Sequence, residues 1–218
     1  MKWFLLLLIP CTLFAKLNSN GDFQVWNSDG MNIPLSKKVY LSGNAEFRYG
    51  NHRKKLYYKH YQGGFRLYRS SYTHFYFAYR HIYHRVRGKW IAEYDPLFDL
   101  TFQAGNRRGL FLSNRNRIQY RILGEKLGGK NRWLYRNRTE FTPPYRLSRY
   151  QIAPYFADEF FWEEGRGIDQ NRLEAGLKIP YYHQRTHLNL SYLWRLLKNP
   201  QKKWLHQNVI RVDFSLHF

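Results

Sequence analysis

The last nine residues alternate without a break: Ile210, Val212, Phe214, Leu216 and Phe218 are apolar, and Arg211, Asp213, Ser215 and His217 between them are polar. Successive side chains of an extended strand point to opposite faces, so this segment has one greasy side and one wet side. Period two does not say which side is the interior, since a half-buried strand of a soluble sheet carries the same signature. The rest of the chain has to decide.

From Lys38 onward the same alternation recurs, punctuated by Gly, Asn, Pro, Ser and charged clusters, with little helical periodicity. Val39, Leu41, Ala45 and Phe47 oppose Ser42, Glu46 and Arg48; Phe75, Phe77 and Tyr79 oppose His74, Tyr76 and Arg80. Further on, Phe98, Leu100 and Phe102 oppose Asp99 and Thr101, and Leu188, Leu190, Tyr192 and Trp194 oppose Asn189, Ser191 and Arg195. Each segment matches a tilted bilayer crossing of about 9 to 11 residues. The fold expected is all-β: a transmembrane antiparallel up-and-down β-barrel of about ten strands, within a range of about 8 to 12.

Short connections are expected near Arg69-Ser-Ser71, Gly105–Gly109, Pro143–Ser148 and Pro180–Arg185, and longer ones on the other side. Met1-Lys2 followed by the apolar run Trp3–Ile9, with Ala15 as a small residue for cleavage, predicts a signal peptide over 1–15. Residues 16–37 follow as a lead, a plug or an extra strand, and 38–218 as the barrel. The single Cys11 falls in the leader, so no disulfide framework is expected.

Composition selects between a soluble sandwich and a membrane barrel. Aromatics make up 19% of the chain, with 19 Tyr and 16 Phe, yet the net charge is +21. Basic excess points to polyanions, and an exported chain makes nucleic acid the wrong one. Placing aromatics against lipid and arginines in a lumen accounts for both features, because closure pairs every backbone group as hydrocarbon requires. The expected location is the cell outer membrane, with its lipids, including lipopolysaccharide, as partners.

The carboxy-terminal Phe218, with Leu216 and Phe214 before it, resembles the signal that outer-membrane proteins present to the β-barrel assembly machinery. Periplasmic chaperones are implied as partners on the way. Asp22-Phe-Gln-Val-Trp26, Glu46-Phe-Arg48, Ser113-Asn-Arg-Asn-Arg117, Trp133-Leu-Tyr-Arg-Asn-Arg138, Pro154-Tyr-Phe-Ala-Asp-Glu159 and Asn171-Arg-Leu173 resemble the bacterial family described as domain of unknown function 2490, across nearly the whole mature chain. The resemblance implies an outer-membrane barrel and supplies no activity.

The arginines assigned to the lumen are Arg48, Arg66, Arg80, Arg115, Arg117, Arg121, Arg136, Arg138, Arg172, Arg195 and Arg211, against the acids Glu46, Asp99, Glu140, Glu174 and Asp213. A simple register sets Arg117 beside Arg136 and Arg115 beside Arg138, a like-charge contact that needs carboxylates, water or a bound anion between. One reading is a charge ladder filling a narrow barrel, with Glu140 and Glu174 bracing the guanidinium groups; the other is a lumen that attracts phosphate or carboxylate solutes. Interiors near eight strands are filled by side chains, so bulk diffusion is not expected, and what the second reading allows is a thin path for small anions.

Basic clusters in the connections opposite the carboxy terminus, His52-Arg53-Lys54-Lys55, Arg85/Arg87/Lys89, Lys126/Lys130/Arg132 and Lys198/Lys202/Lys203, are candidates for anionic lipid headgroups. The rival class is a rim hydrolase or acyltransferase, for which Asp158 and Glu159 with a nearby histidine such as His206 are the candidates. No nucleophile elbow, zinc helix motif or phosphate-binding glycine loop is present, and neither cofactor nor metal is predicted.

Overall fold

The structure, a computed structural model, describes residues 20–218 except 52, 107–108, 124–129, 182–184 and 200. The predicted leader, Cys11, His52 and Lys126 lie outside the described residues. The chain forms β1 (Asp22–Pro34), β2 (Val39–Gly50), β3 (Lys55–Tyr68), β4 (Thr73–Val86), β5 (Lys89–Gly105), β6 (Phe111–Leu123), β7 (Arg132–Thr142), β8 (Ala153–Glu163), β9 (Gly167–Tyr181), β10 (Thr186–Lys198) and β11 (Trp204–His217). Each strand pairs antiparallel with the next in sequence, and the sheet closes on itself between β1 and β11.

The strand count falls within the expected range, but the closure departs from the all-antiparallel pairing expected. With eleven strands, first and last run in the same direction, and β1 pairs β11 in parallel from Asp22↔Gln207 to Asn32↔His217. A meander of alternating strands has no other way to close when the strand count is odd. Residues Asp22–Pro34, left open between lead, plug and extra strand, are therefore a full stave of the barrel.

Alternation explains the two walls. The outward positions predicted apolar remain uncovered: Phe65, Phe77, Tyr79, Phe102, Ile210 and Phe214 are between 37% and 51% exposed. Their polar neighbours turn inward and are buried, among them Glu46, Arg80, Asp99, Arg117, Arg136 and Glu174. The distribution is inverted relative to a soluble fold, where large apolar groups go inside and charges outside. Strands of 11 to 17 residues are long enough to carry a continuous apolar belt between two rims.

Local residues shape the wall. A Cβ on Gly64 would sit 2.1 Å from the Phe77 carbonyl oxygen, so only glycine lets β3 and β4 approach at that point. Register shifts at Arg48/Tyr49 and Phe161/Trp162 mark bulges beside the rim opposite the carboxy terminus. The first of these leaves Tyr57 and Tyr58 both buried.

One rim carries Phe218 and the β1–β2, β3–β4, β5–β6, β7–β8 and β9–β10 connections; the opposite rim carries the other five. The predicted assignment of each connection to its rim holds. The predicted length contrast fails, because the longest connection, 143–152, lies on the carboxy-terminal rim, where Leu147 and Ile152 form their own bridge.

Candidate functional site

The lumen is organised around Glu159, which is 2% exposed at mid-height on β8. Its Oε1 accepts from Arg115 Nη2 at 2.7 Å and Arg136 Nη2 at 2.8 Å, and its Oε2 from Arg172 Nη1 at 3.3 Å. The register Arg115↔Arg138 and Arg117↔Arg136 is the one expected from simple pairing. The like charges are separated by carboxylates. Asp99 takes Arg117 in a two-point fork, from Nε at 2.6 Å and Nη2 at 2.8 Å, the geometry in which a guanidinium binds a carboxylate most strongly.

Glu174 accepts from Arg138 Nη1 at 2.7 Å, from Tyr155 at 2.6 Å and from Ser191 at 2.8 Å, with Arg211 Nη1 at 3.6 Å. Glu140 joins Arg138 to Lys178. Nearer the opposite rim, Glu163 gathers Arg121, Arg132 and Arg166, and Glu93 meets Arg121 at 2.7 Å and His84 at 3.1 Å. Arg80 donates to Asp95 at 2.7 Å, and Arg48 to Glu46 at 2.6 Å. Ionised groups withdrawn from water are tolerable only with close counter-ions, which this mesh provides, although Nε of Arg80, Arg115 and Arg172 and Oδ1 of Asp95 are buried without a hydrogen-bond partner.

Among the described inward-facing arginines, Arg66 and Arg195 have no carboxylate within ion-pair distance. Arg66 lies over the Tyr76 ring at 5.3 Å, and Arg195 donates to the carbonyl oxygens of Gln170 at 2.8 Å and Gln207 at 3.0 Å. Across the lumen from the Glu159 cluster, Trp26 is 1% exposed and backed by Leu193 and Val209. Its ring takes the Arg48 guanidinium at 3.9 Å and that of Arg172 at 4.9 Å, while its Nε1 donates to Gln24 at 3.0 Å. Two polar cavities, of about 380 and 410 Å³, flank this layer and share Arg48, Arg80, Arg136 and Arg172 as their common wall.

The predicted lumen set, Arg115, Arg117, Arg136, Arg138, Glu140, Arg172 and Glu174, is thus brought together. Arg53, Lys54, Lys55, Arg85, Arg87, Lys202 and Lys203 are all exposed at or beside the opposite rim. Basic character is not confined to that side: Lys37, Lys38, Arg69, Arg146, Arg149 and Arg185 belong to the carboxy-terminal rim, whose connections contain no acidic residue. Aromatic rings accompany the cations on the opposite rim, with Lys59 4.9 Å from Trp90 and Lys198 4.9 Å from Trp204.

The proposed acid pair does not assemble. Asp158 and Glu159 are adjacent residues of one strand, so Asp158 points outward, where it accepts from Asn171 at 2.7 Å, while Glu159 is buried in the lumen. His206 stands on β11, three strands away in the sheet. Phe214 and Leu216 lie on the outer wall, and the Phe218 amide donates to the Asn32 carbonyl at 3.1 Å. Among the described residues no group of His, Cys, Asp and Glu has the arrangement of a metal site.

Sequence reasoning missed the inward acids Glu93, Asp95, Glu159 and Glu163, and the inward Trp26. For Glu93 and Asp95 the available signal was strict parity, six and four residues before the inward Asp99; β8 and β1 carried no residue already assigned inward from which to count. A model of the family described as protein of unknown function (DUF2490) matches residues 23–206, whereas no curated protein and no solved structure matches the chain.

Proposed function

The chain belongs to the DUF2490 family, and from its geometry we propose that it is a bilayer-spanning barrel of the bacterial outer membrane that binds anionic lipid headgroups at its rims and is braced internally by ion pairs. One observation carries this reading: large apolar side chains stand uncovered around the outer wall while carboxylates and guanidinium groups are buried within. Water would penalise that outer wall heavily; hydrocarbon would not. The belt ends at a basic collar on each side, where lipid phosphates lie, and the rings beside Lys59 and Lys198 suit an interface. The carboxy-terminal rim is assigned to the periplasm and the opposite rim to the lipopolysaccharide leaflet.

The test is partition and depth. The protein is expected to resist alkaline extraction from membranes and to require detergent. In vesicles of brominated lipid, the outward Trp133, Trp162 and Trp194 should be quenched while Trp26 is not. A monomer soluble without detergent sinks the reading. Native mass spectrometry should show retained lipopolysaccharide or phosphatidylglycerol, reduced when Arg85, Arg87, Lys202 and Lys203 are together replaced by alanine; unchanged retention removes the headgroup role.

The Trp26 layer, with the Arg48 and Arg172 guanidinium groups over its ring, supports a lumen closed to bulk flow. Planar bilayers should show no steady current for the native chain and a small anion-selective current for Trp26→Ala. Silence from both removes any anion path.

A further inference from the structure

The outer wall is not apolar throughout. At mid-height on β6 to β9, Asn114, Asn116, Asn137, Thr139, Asp158 and Asn171 all face outward. Their contacts join them across the strands: Asn114 donates to Thr139 at 2.9 Å, Asn116 to Asn114 at 2.7 Å, Asn137 to Asn116 at 2.9 Å, and Asn171 to Asp158 at 2.7 Å. Above and below, the same faces return to large apolar groups, with Ile118 at 48% exposure, Trp133 at 51%, Phe141 at 41% and Phe156 at 55%. A polar island is thus enclosed by the belt.

We propose that this island is a lateral interface at which a second copy of the chain docks within the membrane. The inference rests on the bilayer-spanning reading, because only in hydrocarbon do these groups lack water. Internal bonds saturate Asn114, which donates to Asn137 and Thr139 and accepts from Asn116 and Asn137, but not the rest of the island: an amide offers two N–H donors and a carboxylate accepts at about four positions, while Asn116 and Asn171 each donate once. Asp158 receives one side-chain donor. Ionisable and amide groups facing lipid are costly, and interfaces between membrane elements use such groups to hold partners together.

Complementarity selects a second copy. The patch carries a carboxylate that only accepts on β8, and amide donors on β6, one strand either side of β7. Two barrels in one membrane with the same orientation are related by a two-fold axis parallel to the barrel axis. When that axis passes by β7, β8 of each copy meets β6 of the other, so each Asp158 comes against the Asn116 amide of its mate, which has a second N–H to donate. Thr139, on β7, then lies beside the axis.

The test uses the full chain with Cys11→Ser in native membranes. Thr139→Cys should crosslink to a dimer under mild oxidation, while Phe77→Cys, equally outward on β4 at 51% exposure, should not. In detergent or nanodiscs, light scattering should give a dimer for the parent protein and a monomer for Asp158→Leu, with both keeping the heat-dependent gel shift of a folded barrel. Membrane-embedded protein that is monomeric, equal crosslinking at both positions, capture of a different polypeptide by Thr139→Cys, or an intact Asp158→Leu dimer each overturns the proposal. Failure to fractionate with membranes overturns the bilayer-spanning reading as well, so the two failures are distinguishable.

Discussion

The β4–β5 sector and the β6–β9 sector of the barrel are made of the same kind of strand and do different work. In β4–β5 the inner wall is held by discrete pairs, such as Arg80 with Asp95, while the outer wall is an aromatic sheet in which Phe98 packs 6.1 Å from Phe75 and 4.9 Å from Phe77. In β6–β9 one inner carboxylate, Glu159, serves three arginines, and the outer wall carries amides and a carboxylate. Alternation alone fixes which side chains face in and which face out. What each wall then contacts depends on the chemistry at those positions, and the first sector, His81 apart, is dressed for lipid.

The largest expected effect contrasts the two inner walls. Glu159→Gln leaves Arg115, Arg136 and Arg172 without their shared counter-ion, and stranding buried charge costs about 3–5 kcal/mol. Asp95→Asn strands Arg80 alone, with Gln119 still beside it, and should cost about 2 kcal/mol. Urea unfolding in lipid vesicles, followed by tryptophan fluorescence, measures both. Equal losses would show that the inner mesh is uniform and erase the contrast.

That inner contrast was only half legible in the sequence. The pairing of Arg115 with Arg138 followed from the alternating Ser113–Arg117 and Trp133–Arg138 segments and is the register found. The carboxylate that resolves it was not, because β8 has aromatics on both faces: Tyr155 and Phe161 inward, Phe156 and Phe160 outward, so the adjacent Asp158 and Glu159 read as a rim pair rather than as one outward and one inward residue. β1 was obscured for the same reason. Its inward series runs Asp22, Gln24, Trp26, Ser28 and its outward series includes Asn27 and Asp29, so neither face reads as apolar, and the strand count with its parallel closure stayed hidden. The outward amides were implied as soon as their arginine neighbours were placed inside, since period two leaves Asn114, Asn116 and Asn137 no other face.

A middle-sized effect concerns the aromatic wall. Phe98→Ala removes ring contacts to Phe75 and Phe77, worth about 0.5–1.5 kcal/mol beyond simple burial. The loss should not depend on protein concentration, because the contacts lie within one copy. A concentration-dependent loss would mean that this sector too is an interface.

The smallest change is the sharpest probe of the polar wall. Thr139→Val keeps the side-chain shape and removes one acceptor from Asn114, so within a single barrel it should shift stability by no more than about 1 kcal/mol. If a second copy covers the island, unfolding of the parent protein is linked to dissociation, and its midpoint rises with the protein-to-lipid ratio. Thr139→Val beside the two-fold axis should weaken that dependence, whereas Phe98→Ala leaves it intact. Midpoints that are flat across a hundredfold dilution in lipid, for parent and variants alike, would make the amides a feature of the isolated barrel and leave the difference between the two sectors confined to the lumen.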